Sequence, residues 1–162
     1  MSVNEIPFDT SGFAMVPIYF RIQDIPSMLP ADYKVDTGAN RTTINGRWLI
    51  ENGYDENWIK AGKLLTGNAC PTVASGHTLD DCYEIILPEI CIGDWVGYNW
   101  PMLTSLAGQF KFLLGTDSLQ FFNWHFDYER GFCQFDIIPG KRRVLFNQLE
   151  QSIHEIDEVK LM

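Results

Sequence analysis

Apolar residues recur along this chain mostly with the two-residue period of a half-buried β-strand. Residues 13–22 are apolar and β-prone, and Pro17 inside them marks an edge or a bulge, because proline has no N–H for a central ladder. Residues 25–30 read as a turn, 31–36 as a second strand, and Thr42, Thr43 and Ile44 continue as β. Asn45 is placed to cap a short helix through Leu49 and Ile50, with Gly53 just past its end. A second short helix falls within 55–65, where Trp58 and Leu65 face one core. Small residues and Gly76 over 72–77 suit a hairpin tip, with 82–87 as the return strand. Gly93 and Asp94 turn into a strand over 95–103. Residues 124–128 and 132–136 alternate around 129–131 as a hairpin, which points His125 and Asp127 to solvent. Leu145, Leu149, Ile153 and Ile156 recur at spacings of four, four and three, which predicts an amphipathic helix over 144–159. Residues 1–11 are polar and form either a loose arm or an outer strand. No internal repeat or low-complexity tract occurs.

One of these strands runs straight into chemistry. Residues 31–35 lead into Asp36, Thr37, Gly38 and Ala39, with Ile44 six residues beyond Gly38. Farther along, Phe112, Leu113, Leu114 and Gly115 are followed by Thr116, Asp117, Ser118 and Leu119. Together these segments resemble the two halves of a retropepsin-like aspartic protease, over roughly residues 13–138. The resemblance implies that Asp36 is catalytic, and that the 110–115 strand braces its loop through Leu113, Leu114 and Gly115. It implies a short helix over 117–122, capped by Thr116 or Asp117. It places a flap in 66–92, with Ala74, Ser75 and Gly76 at the tip touching substrate. Gly38 permits a sharp turn beside the carboxylate, and Thr37 hydrogen-bonds across a dimer axis. Ala39 leaves room for a substrate backbone that Asn40 can bond.

The residue types fit one reaction. A water held between two carboxyls, one ionised and one protonated, can attack a peptide bond. Two carboxyls about 3 Å apart share one proton, which splits their roles without a metal or a histidine. The chain has one Asp-Thr-Gly, and Asp117 in the reversed order does not substitute for a second. A twofold homodimer supplies the pair. The expectation is an aspartic endopeptidase acting on a peptide or protein. The alternative is a catalytically weak dimerisation or peptide-binding module on the same fold. Two departures from the family pattern bear on specificity. Lys34 stands where the family carries an apolar pocket residue, and either favours acidic peptide side chains or snorkels to solvent. Arg41 can anchor a carboxylate within or beyond the site.

Composition narrows the alternatives. The net charge of −9 and the isoelectric point near 4.6 argue against nucleic acid or an anionic membrane as partner. Aromatic residues make up 14% of the chain, enough for a solid core. Cys70, Cys82, Cys91 and Cys133 show no Cys-x-x-Cys pair, and His77, His125 and His154 are scattered, so neither a metal nor another cofactor is expected. No leader-like or membrane-spanning apolar run stands out, and the expectation is a cytoplasmic protein with free thiols. The fold expected is mostly β: a closed retropepsin-like acid-protease barrel over 1–140 with short helices, then a helical extension over 141–162. Lys141, Arg142 and Arg143 between them read as a solvated turn. The terminal helix packs on its own domain, on a partner subunit, or on a larger assembly.

Overall fold

The computed structural model describes residues 4–21, 29–65, 82–106 and 110–156. The fold is mostly β, as the two-residue periodicity predicts. Two ladders carry it. A three-stranded sheet sets β9 (Phe132–Ile137) between β1 (Asn4–Pro7) and β8 (Phe122–Asp127). The larger sheet is built from β2 (Met15–Arg21), β3 (Leu29–Val35), β5 (Cys82–Ile92), β6 (Trp95–Thr104), β7 (Leu113–Leu114), β10 (Arg143–Asn147) and β11 (Ser152–Glu155). Its order is β11-β10-β6-β5-β2-β3-β7, with β4 (Lys63–Leu65) added onto β5, and it curls as a half-barrel.

Alternation decides which side each strand buries. In β2, Val16, Ile18 and Phe20 are buried, while Pro17, Tyr19 and Arg21 are exposed. Pro17 sits where β2 is paired with β3 alone, since β5 meets only Tyr19–Arg21; no ladder needs the N–H that proline lacks. The long β5–β6 hairpin turns at Gly93, whose φ of +56° suits glycine. It carries Ile85, Leu87, Ile90 and Ile92 to the core, against Trp95, Trp100 and Met102. Trp95 and Trp100 meet edge to face at 5.3 Å between centroids, and Phe121 stacks on Trp95 at 5.5 Å. Helix α1 (Gly46–Glu51) is capped by the Asn45 side chain, which accepts from the Trp48 N–H at 3.1 Å. Helix α2 (Glu56–Lys60) is capped in the same way by Asp55 and buries Ile59. Trp58 is partly buried.

The amphipathic helix expected over 144–159 does not form. Residues of that segment form β10 and β11, an antiparallel hairpin, and β10 pairs in parallel with β6 from Arg143 to Leu145. The helical spacing of Leu145, Leu149 and Ile153 is a coincidence of the hairpin. Val144, not Leu145, is the fully buried residue, and Leu149 sits at the turn with 97% of its surface exposed. Asn147 starts that turn by accepting from the N–H groups of Leu149 and Glu150, and Gln151 takes a left-handed φ of +52°. An open edge on β6 offers the segment more hydrogen bonds and burial than its own helical stripe does, and tertiary pairing overrides local period. Two smaller expectations also change. The bracing strand is two residues long, and α3 (Thr116–Leu119) has no side-chain cap, because the cap position falls on Gly115 and not on Thr116 or Asp117. Residues 66–81, with Ala74, Ser75, Gly76, Cys70 and His77, lie outside the described residues.

Because β10 belongs to the main sheet, truncation after Pro139 should destabilise the whole domain. Val144→Ala, which removes about two buried methyl-sized groups, should cost about 1.5–3 kcal/mol. Thermal unfolding reads both. An unchanged Tm after truncation would contradict this placement.

Candidate active site

β3 delivers Asp36 to the end of the sheet, where β7 holds it. β3 and β7 run parallel with Lys34 opposite Leu113 and Val35 opposite Leu114. The Asp36 N–H donates to the Leu114 carbonyl at 3.1 Å, and on β7's other side the Thr43 N–H donates to the Leu113 carbonyl at 3.0 Å. Leu113 and Leu114 are therefore threaded between the two arms of the Asp36 loop. The loop then closes on itself. The Ala39 N–H donates to the Asp36 carbonyl, and the Gly38 N–H donates to Asp36 Oδ1 at 3.0 Å. A Cβ on Gly38 would sit 3.3 Å from that same oxygen, so glycine keeps the turn this close. Asp36 and Ala39 are half-buried, while Thr37, Gly38 and Asn40 are exposed.

The loop's far end is fastened by residues that the sequence reading had not assembled. Thr42 is fully buried. Its N–H donates to Asp117 Oδ2 at 3.0 Å and its hydroxyl to Asp117 Oδ1 at 2.6 Å. With that single proton spent, Thr42 Oγ1 accepts from the Gly115 N–H at 3.2 Å and from the Ser118 hydroxyl at 2.8 Å. Ser118 in turn accepts from Trp100 Nε1 at 3.0 Å. Every donor in this chain has an acceptor, as a buried polar cluster requires. The Thr116 N–H adds a bond to the Ala39 carbonyl at 2.9 Å. Gly115 passes so close to Arg41 that a Cβ would lie 2.6 Å from its carbonyl carbon and oxygen. Only glycine fits this crossing.

Arg41 completes the fastening. Its Nη2 meets Glu84 Oε2 at 2.7 Å and its Nε lies 3.7 Å from Asp117 Oδ2, which realises the expectation that it anchors a carboxylate. Burial pushes the Asp117 carboxyl above its ordinary range; the Thr42 hydrogen bonds and then the Arg41 charge pull the other way. A cavity of about 220 Å³ is lined by Arg41, Glu84, Asp117, Trp100, Pro101, Phe146, Gln151 and Ile153. Asp36 is not in its wall.

Lys34 on β3 and Asp36 just past its end are two residues apart, so alternation sets both on the side opposite buried Tyr33. Lys34 Nζ sits 3.9 Å from the centroid of the Phe13 ring. Phe13 lies just before β2 and not inside the strand expected over 13–22, and its place against Lys34 emerges only in the fold. Thr42 and Asp117 were visible as residues, but their pairing needed the fold. Among the described residues no cluster of three His, Cys, Asp or Glu side chains is placed to hold a metal ion. No helix among them is long and apolar enough to cross a membrane.

Comparison with known proteins agrees with this architecture. No family model and no curated protein matches the sequence. Among solved structures, the chain is similar to the crystal structure of a retropepsin-like aspartic protease from Rickettsia conorii. The TM-score is 0.56 at 20% identity, over 83% of this chain and 91% of that one. The fold is thus retropepsin-like.

Asp117→Ala would leave the buried Thr42 donors without an acceptor and should cost about 1–3 kcal/mol. Because the folded-state pKa of Asp117 is the raised one, its titration supports folding most below the ordinary carboxylate value of about 4. That contribution is lost as pH rises through the raised value. The stability gap between wild type and Asp117→Asn, which cannot ionise, should therefore narrow from about pH 4 upward. Denaturant titrations across pH check this; equal stability of wild type and Asp117→Ala would contradict the fastening.

Proposed function

We propose that two copies of this chain pair about a twofold axis to form one aspartic endopeptidase site, with an Asp36 from each. The observation that carries this reading is the placement of Asp36. Its carboxylate is half-buried on a loop held at both ends, with one oxygen already taken by the Gly38 N–H. A single chain supplies one such group, and the reaction needs two. The retropepsin-like fold of the similar structure supports the same reading.

In the proposed mechanism the two carboxyls hold one proton between them and a water in front of them. The ionised carboxylate takes a proton from the water as it attacks the scissile carbonyl, and the protonated carboxyl donates to the carbonyl oxygen. The tetrahedral intermediate collapses with proton transfer to the leaving nitrogen. The dyad is then ready for another water. Exposed Thr37 is assigned to a hydrogen bond across the twofold axis, and Ala39 and Asn40 to the edge of the bound peptide backbone. Ala74, Ser75 and Gly76 are assigned to the peptide's other side on the sequence resemblance alone.

Asp36→Asn should leave the fold intact and lower peptide cleavage by at least about 10²–10⁴-fold. Specific activity of the wild type should fall on dilution, as dimers dissociate. Its pH profile should be bell-shaped and skewed to acid, since the pair works only while it holds one proton. Peptidase assays with parallel sedimentation measure all three. Undiminished cleavage by a well-folded Asp36→Asn chain would contradict the assignment.

A further inference from the structure

We propose that Lys34 and Phe13 form a subsite beside Asp36 that selects a peptide side chain with an apolar stem and a terminal carboxylate, glutamate foremost. This rests on the reading of Asp36 as catalytic and adds the substrate class to it.

The subsite follows from strand register. β2 and β3 pair antiparallel with Met15 opposite Lys34, and the Val35 N–H still donates to the Ala14 carbonyl at 3.0 Å. Beyond that bond the two chains part: the Phe13 N–H donates to Asp9 Oδ1, the Asp36 N–H donates to the Leu114 carbonyl, and Phe13 stays beside β3 through its ring at Lys34. Strand alternation sets Lys34, and Asp36 two residues on, to the side opposite the buried Tyr33 ring, and the Phe13 ring meets Lys34 there at 3.9 Å from its Nζ. Phe13 leaves 44% of its surface exposed there.

The charge on Lys34 is uncommitted. Its ammonium rests over the Phe13 ring, and among the described residues it forms no ion pair. The chain has 21 Asp and Glu against 12 Lys and Arg, so a lysine without a carboxylate partner is not short of candidates. The ring holds the ammonium in place beside the catalytic group and gives the subsite an apolar floor. A glutamate side chain lying on that floor brings its carboxylate to the ammonium. Glutamine offers the same stem without the charge, and aspartate reaches less far.

The test uses the whole chain at a concentration where it cleaves peptides, and matched peptides that differ only by Glu or Gln at each position flanking the cleaved bond. Wild type should favour Glu by about tenfold in kcat/KM at one position, and the preference should shrink as salt is added. Lys34→Met should level the two peptides, and Lys34→Glu should turn the preference toward Lys. Equal cleavage of the Glu and Gln peptides by wild type, or an unaltered preference in Lys34→Met, overturns the subsite. If the Lys34 variants fail to fold, the wild-type preference and its salt dependence decide. Asp36→Asn separates the two claims. Cleavage that requires Asp36 but ignores Lys34 removes the subsite alone, and cleavage that survives Asp36→Asn removes the catalytic reading beneath it.

Discussion

The bond pair between the Asp117 carboxylate and Thr42 is the constraint on which the rest of this site depends. Two segments far apart in sequence must cross for Asp36 to be held, and this carboxylate joins them with two hydrogen bonds. Thr42 is fully buried, and its hydroxyl is shared among Asp117, Ser118 and the Gly115 N–H. Removing one member strands several donors together, so the cluster acts as a unit and not as a set of separate bonds. Its strain on composition is visible at Gly115, which no larger residue can replace beneath Arg41.

The division of labour around Asp36 follows. The backbone of β7 fixes the height of the loop, the Asp117 cluster fixes its far end, and the Gly38 N–H sets the carboxylate's orientation. The Asp36 carboxylate stays half-exposed while Thr42, Leu114, Gly115 and Ser118 are buried. A group that must exchange protons with a partner and a water needs access, and a group that positions it needs rigidity. Lys34 and Phe13 take no part in that support; Phe13 is exposed and Lys34 half-buried.

Much of this was legible in the sequence for identifiable reasons. Asn45 caps its helix because its side chain satisfies an N–H three residues on, a purely local act. The alternation in β2, β8 and β9 reports burial directly. The brace at Leu113, Leu114 and Gly115 was named from resemblance, and its bonds to Asp36 and Thr43 are those of a strand threaded through a loop. Non-local choices were harder. The stripe of Leu145, Leu149 and Ile153 satisfied a helical period, but β6 had an edge to fill and Val144 fits beneath it. Asp117 read as a helix cap because it begins a helix; only the fold brings Thr42 within reach. Phe13 gained significance solely from its ring's contact with Lys34.

The central claim is that one active site takes two Asp36 carboxylates from two chains. Mixing wild-type and Asp36→Asn chains at constant total concentration, allowing subunits to exchange, and measuring peptide cleavage against the wild-type fraction tests it most directly. Activity should follow the square of that fraction, because only dimers with both carboxylates turn over. A linear dependence, with each wild-type chain working regardless of its partner, would contradict the account.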